Sequence, residues 1–174
     1  MPHDHDPTLT DDELDTWSAF ATVLEWLPPA LDAPLSAGFE LTHFEYGLLY
    51  ALADAPERTL RLSVLADYAN SSLTRLSRAV SRLEARGWVR REPDPSDGRS
   101  TLAVLTLEGL TRFDDATPAH LATLQQVIFD PLTKAQQRQL TQISRRIATA
   151  IRQQPGWRPT ANAPAPGRAG ESSA

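Results

Sequence analysis

From Gly87 to Leu105 the chain abandons the helical spacing of apolar residues that governs it on either side. Trp88-Val89-Arg90-Arg91-Glu92 alternates and reads as a strand. Pro93-Asp94-Pro95-Ser96-Asp97-Gly98 is a dense run of turn formers, and Ser100–Leu105 reads as the returning strand. The spacing therefore predicts a mainly α chain with one small β-hairpin.

The helices on both sides announce their starts. Thr10-Asp11-Asp12-Glu13 is a capping box, with its acids at the positive end of the helix dipole. It opens a helix carrying Leu14, Trp17, Phe20, Ala21, Leu24 and Leu27, predicted to stop at Pro28-Pro29. Thr42-His43-Phe44-Glu45 opens a second, with Phe44, Leu48, Leu49 and Leu52, ending near Ala53. Ser63 is placed to cap a short helix, Val64–Tyr68, and Asn70 suits the left-handed residue of a tight turn. Ser71 or Ser72 caps the next helix, which runs to Arg86 and stops at Gly87. After the hairpin, Thr106 caps a helix through about Phe129, kinked at Pro118. Asp130-Pro131 breaks it, and Thr133-x-x-Gln136 starts a last helix to about Gln153.

At 174 residues the chain suits one domain with appendages. Residues 1–9 are polar, and residues 154–174 are rich in Pro, Ala, Gly and Ser; both are expected to be disordered. Residues 10–153 form the folded part. A helix, tight turn, helix and hairpin in that order make a winged helix-turn-helix over about 42–106. Helices at about 10–27 and 107–153 bracket it.

On a helical wheel of residues 72–86, Leu73, Leu76, Ala79, Val80 and Leu83 share one face. Thr74, Arg78, Ser81 and Arg82 share the other, with Arg75 on the flank and Ser71 and Ser72 at the start. A face of hydroxyls and guanidiniums without a carboxylate suits the major groove. Arg pairs bidentately with guanine O6 and N7, and Ser or Thr bonds base edges or phosphates. A solvated basic face on an ordinary surface helix is the other reading of the wheel alone. At the hairpin tip, Arg99 could enter the minor groove, with Asp97 pairing to aim it, while Arg90 and Arg91 at the base could meet phosphates.

The charge distribution agrees. Residues 58–112 hold ten Arg against six carboxylates, a net +4, although the whole chain carries -5. A basic centre between acidic flanks is compatible with nucleic-acid binding if the flanks lie on a dimer lobe away from the duplex.

Ser63-Val64-Leu65-Ala66, Ser72-Leu73-Thr74-Arg75-Leu76 and Val80-Ser81-Arg82-Leu83-Glu84-Ala85-Arg86-Gly87-Trp88-Val89-Arg90-Arg91 resemble the MarR family of transcriptional regulators. So does Asp97-Gly98-Arg99-Ser100-Thr101-Leu102-Ala103-Val104-Leu105-Thr106, which follows that family's wing pattern, with Glu108-Gly109 after it. The resemblance implies a homodimer on a palindromic double-stranded DNA operator, usually a repressor released by a small-molecule effector. It also implies an effector pocket between the dimerisation helices and the DNA-binding lobe. Trp17, Phe20, Trp26, His43, Tyr46 and Tyr50 are the residues here that could line it, and aromatics with polar tips suit a phenolic or planar anionic ligand. Ordinary core packing is the alternative for each.

The end helices agree with a dimer. Trp17, Phe20, Leu24 and Leu27 form one apolar stripe, and Leu140, Ile143, Ile147 and Ile151 another. Two-fold DNA reading needs two chains to set half-site spacing.

Other functions find less in the sequence. With no cysteine, thiol catalysis and the family's thiol-based sensing are excluded. His3 and His5 lie in a loose tail, and His43 and His120 have no partner at ligand spacing, so no metal site is expected. There is no Gly-rich phosphate loop and no nucleophile–base set, so neither an enzyme nor a cofactor is expected. A winged-helix interaction module without DNA binding is the remaining alternative. No apolar run is long enough for a membrane span and no signal segment opens the chain, so the expected location is the cytoplasm.

Overall fold

The computed structural model describes residues 8–154. His3, His5 and nearly all of both segments expected to be disordered lie outside them.

Among the described residues six α-helices and three strands follow in the order α1 (Asp11–Phe39), α2 (His43–Asp54), β1 (Thr59–Arg61), α3 (Leu62–Tyr68), α4 (Leu73–Ala85), β2 (Val89–Asp94), β3 (Asp97–Leu105), α5 (Leu107–Leu124) and α6 (Lys134–Arg152). This is the mainly α class with a small antiparallel sheet. The capping boxes at Thr10, Thr42 and Thr133 form, with both halves of each present. Asn70 takes a left-handed conformation at φ 45°, as expected of the turn between α3 and α4.

Helix α1 corrects its sequence reading. It does not stop at Pro28-Pro29 but continues to Phe39, with Pro28, Pro29 and Pro34 inside it. The reason is tertiary. The added length buries Leu31 and Leu35, and the Asp32 carboxylate accepts the His43 backbone N–H at 2.6 Å, tying α1 to α2. Proline's fixed φ suits a helix, so burial offsets the lost amide bonds. Helix α3 also differs: it starts one residue before Ser63, and no side chain caps it.

The hairpin is longer than expected. Strands β2 and β3 pair from Val89↔Leu105 to Asp94↔Asp97, leaving only Pro95 and Ser96 at the turn. A short strand absent from the sequence reading, β1, pairs with β3 from Thr59↔Val104 to Arg61↔Leu102, giving the sheet order β1-β3-β2.

The core sits where α2, α3, α4 and the sheet meet. Leu48, Leu49, Leu52, Leu65, Leu76, Val80, Leu83 and Val89 are fully buried there. Gly109 lets α5 close on it: a Cβ at Gly109 would stand 2.0 Å from the Trp88 carbonyl oxygen. Gly87, at φ 76°, makes the exit from α4. Helix α5 passes through Pro118 into a π-helical turn, Gln125–Phe129, before α6. Among the described residues no helix is long and apolar enough to cross a membrane.

Candidate nucleic-acid interface

Ser72 begins the site. Its hydroxyl accepts the Arg75 backbone N–H at 3.3 Å and caps α4, whereas Ser71, the other candidate, is buried. The apolar face of α4 then packs inward through Leu76, Ala79, Val80 and Leu83. Leu73, assigned to that face by the wheel, does not join it. It is 53% exposed, because the first residue of α4 projects past the core.

The outward face carries Thr74, Arg75, Arg78, Ser81 and Arg82, all exposed. Their guanidiniums divide into two kinds. Arg82 Nε donates to Glu45 Oε1 at 2.7 Å, and Arg86 approaches Glu45 Oε2 at 3.6 Å. Glu45 is almost wholly buried, so its charge needs a cation close by. Arg75 lies over the Phe44 ring, 4.4 Å from its centroid. Arg78 is the other kind: it is exposed, and among the described residues its guanidinium has no hydrogen bond or ion pair.

The hairpin arginines divide in the same way. Arg91, expected at phosphates, straps β2 to α4. Its Nη2 donates to the Ser77 carbonyl at 2.7 Å and to the Ser81 hydroxyl at 2.8 Å, and its backbone N–H donates to Glu84. Arg90 pairs with Glu92 along the strand. Arg99 at the tip has a free guanidinium among the described residues. Asp97 does not aim that guanidinium. Its carboxylate instead accepts the backbone N–H of Arg99 at 3.2 Å and the Ser100 hydroxyl at 2.8 Å, shaping the turn itself.

Two anchors escaped the sequence reading. Glu45 was legible only as a capping residue; the Arg82 and Arg86 pair, one turn apart, was the signal that a carboxylate faced them. Asp94, taken as a turn former, accepts Arg61 Nε at 2.6 Å and both the backbone N–H and the hydroxyl of Ser96. These bonds hold its carboxyl below the usual range, the Ser96 bonds contributing most. Arg61 thus moors the hairpin turn to β1.

The six residues proposed to line an effector pocket fall in three neighbourhoods of the protomer. Trp17 and Phe20 face Ile143 and Ile147 across an open apolar groove of about 430 Å³ between α1 and α6. Trp26, 73% exposed, borders a separate hollow beside Val127. The remaining three gather where α2 meets α5. Tyr46 is buried against His120, 4.2 Å between ring centroids, with its hydroxyl 3.1 Å from the Thr117 hydroxyl. Tyr50 lies beside Tyr68 and Phe113.

His43 and His120, read as lacking partners, stack on each other at 5.3 Å. Packing of the start of α2 against α5 brings them together. Among the described residues each keeps a buried Nδ1 without a hydrogen bond. Burial lowers both histidine pKa values, against the raising effect of Asp32 on His43 and reinforced by His43 on His120. Among the described residues no group of three or more His, Asp or Glu side chains is placed to hold a metal ion.

The chain resembles proteins that share this arrangement. Its residues 37–100 match the MarR family. The transcriptional regulator HosA of Escherichia coli O111:H- is 39% identical over 70 residues, 40% of this chain and 50% of HosA, so the chain spans about half the length of that curated relative. Among solved structures, AbsC, a MarR family transcriptional regulator from Streptomyces coelicolor, is 32% identical, with a TM-score of 0.81 over 86% of this chain and all (100%) of that one. Sco3205, a MarR family transcriptional regulator from the same organism crystallised in complex with DNA, is 40% identical, with a TM-score of 0.81 over 88% of this chain and 95% of that one. Such identity, held across nearly the whole of a related protein, makes this chain a member of the MarR family.

Proposed function

We propose that this protein is a sequence-specific DNA-binding transcriptional regulator acting as a homodimer. The observation that carries the reading is the pair of uncommitted guanidiniums. Arg78 on α4 and Arg99 at the hairpin tip are exposed and have no hydrogen bond or ion pair to the described residues, while Arg82 and Arg91 brace the elements that present them. A helix with Thr74 and Arg78 outward fits a major groove, and a tip with Arg99 fits the minor groove beside it. The DNA complex of the relative Sco3205 supports the same use. On this reading the protein binds rather than catalyses, and it works where the DNA is, in the cytoplasm.

A partner copy follows from α1 and α6. Helix α6 buries none of its residues in the protomer, and Leu140, Ile143, Ile147 and Ile151 lie exposed along it. Leu14, Trp17, Phe20 and Leu24 are exposed on α1. Stripes of that length need a second surface, and two-fold DNA reading supplies the reason for one. The double-stranded operator is then palindromic.

An effector that releases DNA must favour a dimer whose heads are misplaced for the duplex. The His43–Tyr46–His120 cluster, between the pairing helices and the reading lobe, suits a phenolic or planar anionic one. Its unpartnered ring nitrogens offer the polar contacts.

Selection of bound fragments from the source genome, followed by a gel-shift titration over salt, tests the reading. The expected result is a discrete enriched sequence whose affinity falls steeply with salt. No enrichment, and no retarded species at low salt, would overturn it.

A further inference from the structure

We infer that Leu73 is a specificity-determining residue that reads the C5-methyl group of a thymine in the operator. The inference rests on the DNA-binding reading above and deepens it.

Every other large aliphatic side chain of α4 is in the core: Leu76, Val80 and Leu83 are all buried. Leu73 alone among them stands outside, 53% exposed at the first residue of the helix. It lies on the ridge between two shallow hollows. One, of about 380 Å³, is shared with Thr74, Ser77 and Arg78. The other, of about 240 Å³, runs towards the hairpin and is lined also by Arg99 and Thr101. The exposed leucine therefore sits between the two free guanidiniums, in the middle of the surface that docks.

A lone exposed leucine elsewhere on a protein needs no explanation. Here position changes that. The first residues of a recognition helix meet base edges. Docking would take the Leu73 side chain out of water against a polar surface. The major groove offers one apolar group for it to meet, the methyl of thymine. Cytosine and the purines carry no methyl group there, so the leucine favours thymine at one base pair while Arg78 reads a neighbouring guanine.

Deoxyuridine scanning tests this. The probe is the duplex enriched by in vitro selection with the full chain, with each thymine replaced in turn by deoxyuridine, which removes only the methyl. Wild-type protein is expected to lose about three- to five-fold in affinity at one thymine per half-site. Leu73→Ala should bind thymine and deoxyuridine duplexes equally at that position, and Leu73→Met should keep the preference. Thermal unfolding of the variants should match wild type, since Leu73 is outside the core. Wild-type affinity indifferent to every methyl, or a preference undiminished in Leu73→Ala, would overturn the inference while leaving DNA binding intact. Failure to enrich any duplex would overturn the DNA-binding reading itself.

Discussion

Arg82 on α4 donates through Nε to Oε1 of Glu45 on α2 at 2.7 Å, so a buried carboxylate fixes the helix proposed to read DNA. Glu45 also completes the capping box of its own helix through Thr42. One side chain therefore starts α2 and positions α4. Arg82→Ala should destabilise the fold by about 1–3 kcal/mol in urea titration, since it leaves a buried charge with only the longer Arg86 contact. Glu45→Gln keeps the cap but removes the charge. It should lose less than Arg82→Ala, and an equal or greater loss would show that an unpaired buried charge is not what makes Arg82→Ala costly.

Arg78→Ala should leave stability within about 0.5 kcal/mol, because the side chain touches nothing in the core. On DNA it should cost about 1–3 kcal/mol of discrimination between selected and random duplex, measured by competition. Equal losses on both would place Arg78 on phosphate.

Arg99→Ala should weaken binding of the selected duplex and leave the circular dichroism spectrum and melting temperature unchanged. The turn survives because Asp97 holds the backbone N–H, not the guanidinium, of Arg99. Unchanged affinity in gel-shift titration would remove the hairpin tip from the interface.

Acidification should destabilise the protein through His43 and His120. Their ordinary pKa is 6.5, and burial lowers both in the folded chain. As pH falls through 6.5 the unfolded chain takes up protons that the folded one refuses, so stability is complete above that pH and is lost below it. Asp32 opposes the shift at His43 from α1, and Tyr46 packs on His120 from α2. His120→Gln should flatten melting temperature against pH between about 7 and 5.5; an unchanged slope would assign the loss to other groups.

Ile143→Glu should abolish self-association in sedimentation while each chain stays folded, because Ile143 is exposed in the protomer. Affinity for a palindromic duplex should fall with it. A variant that still sediments as wild type would move the pairing surface elsewhere.

Local signals were legible in the sequence; long-range ones were not. Capping boxes at Thr10, Thr42 and Thr133, the Ser72 cap and the hairpin depend on residues a few positions apart, and each forms. The end of α1 was misread because the proline rule counts a local cost, while Leu31 and Leu35 gain their burial from distant helices. Strand β1 has only three residues and exists because β3 is there to pair with it. Leu73 fell on the inward arc of the wheel, which treats the first turn like the rest. At the candidate site, residue types could say which arginines might reach DNA. They could not say that Glu45, 37 positions before Arg82, holds one of them back. Nor could they bring His43 and His120 into contact.

A column with missing cross-ties yields where the ties are missing. Pro28, Pro29 and Pro34 have no amide hydrogen, so the carbonyls of Leu24, Glu25 and Ala30 lose their usual partners. Pro28-Pro29 separates the exposed stripe of α1 from Leu31 and Leu35, where the helix grips the rest of the molecule. On the proposed pairing, a bend at Pro28-Pro29 would tilt the exposed stripe against the gripped end, so two joined copies would adjust their span by flexing a joint instead of repacking a core.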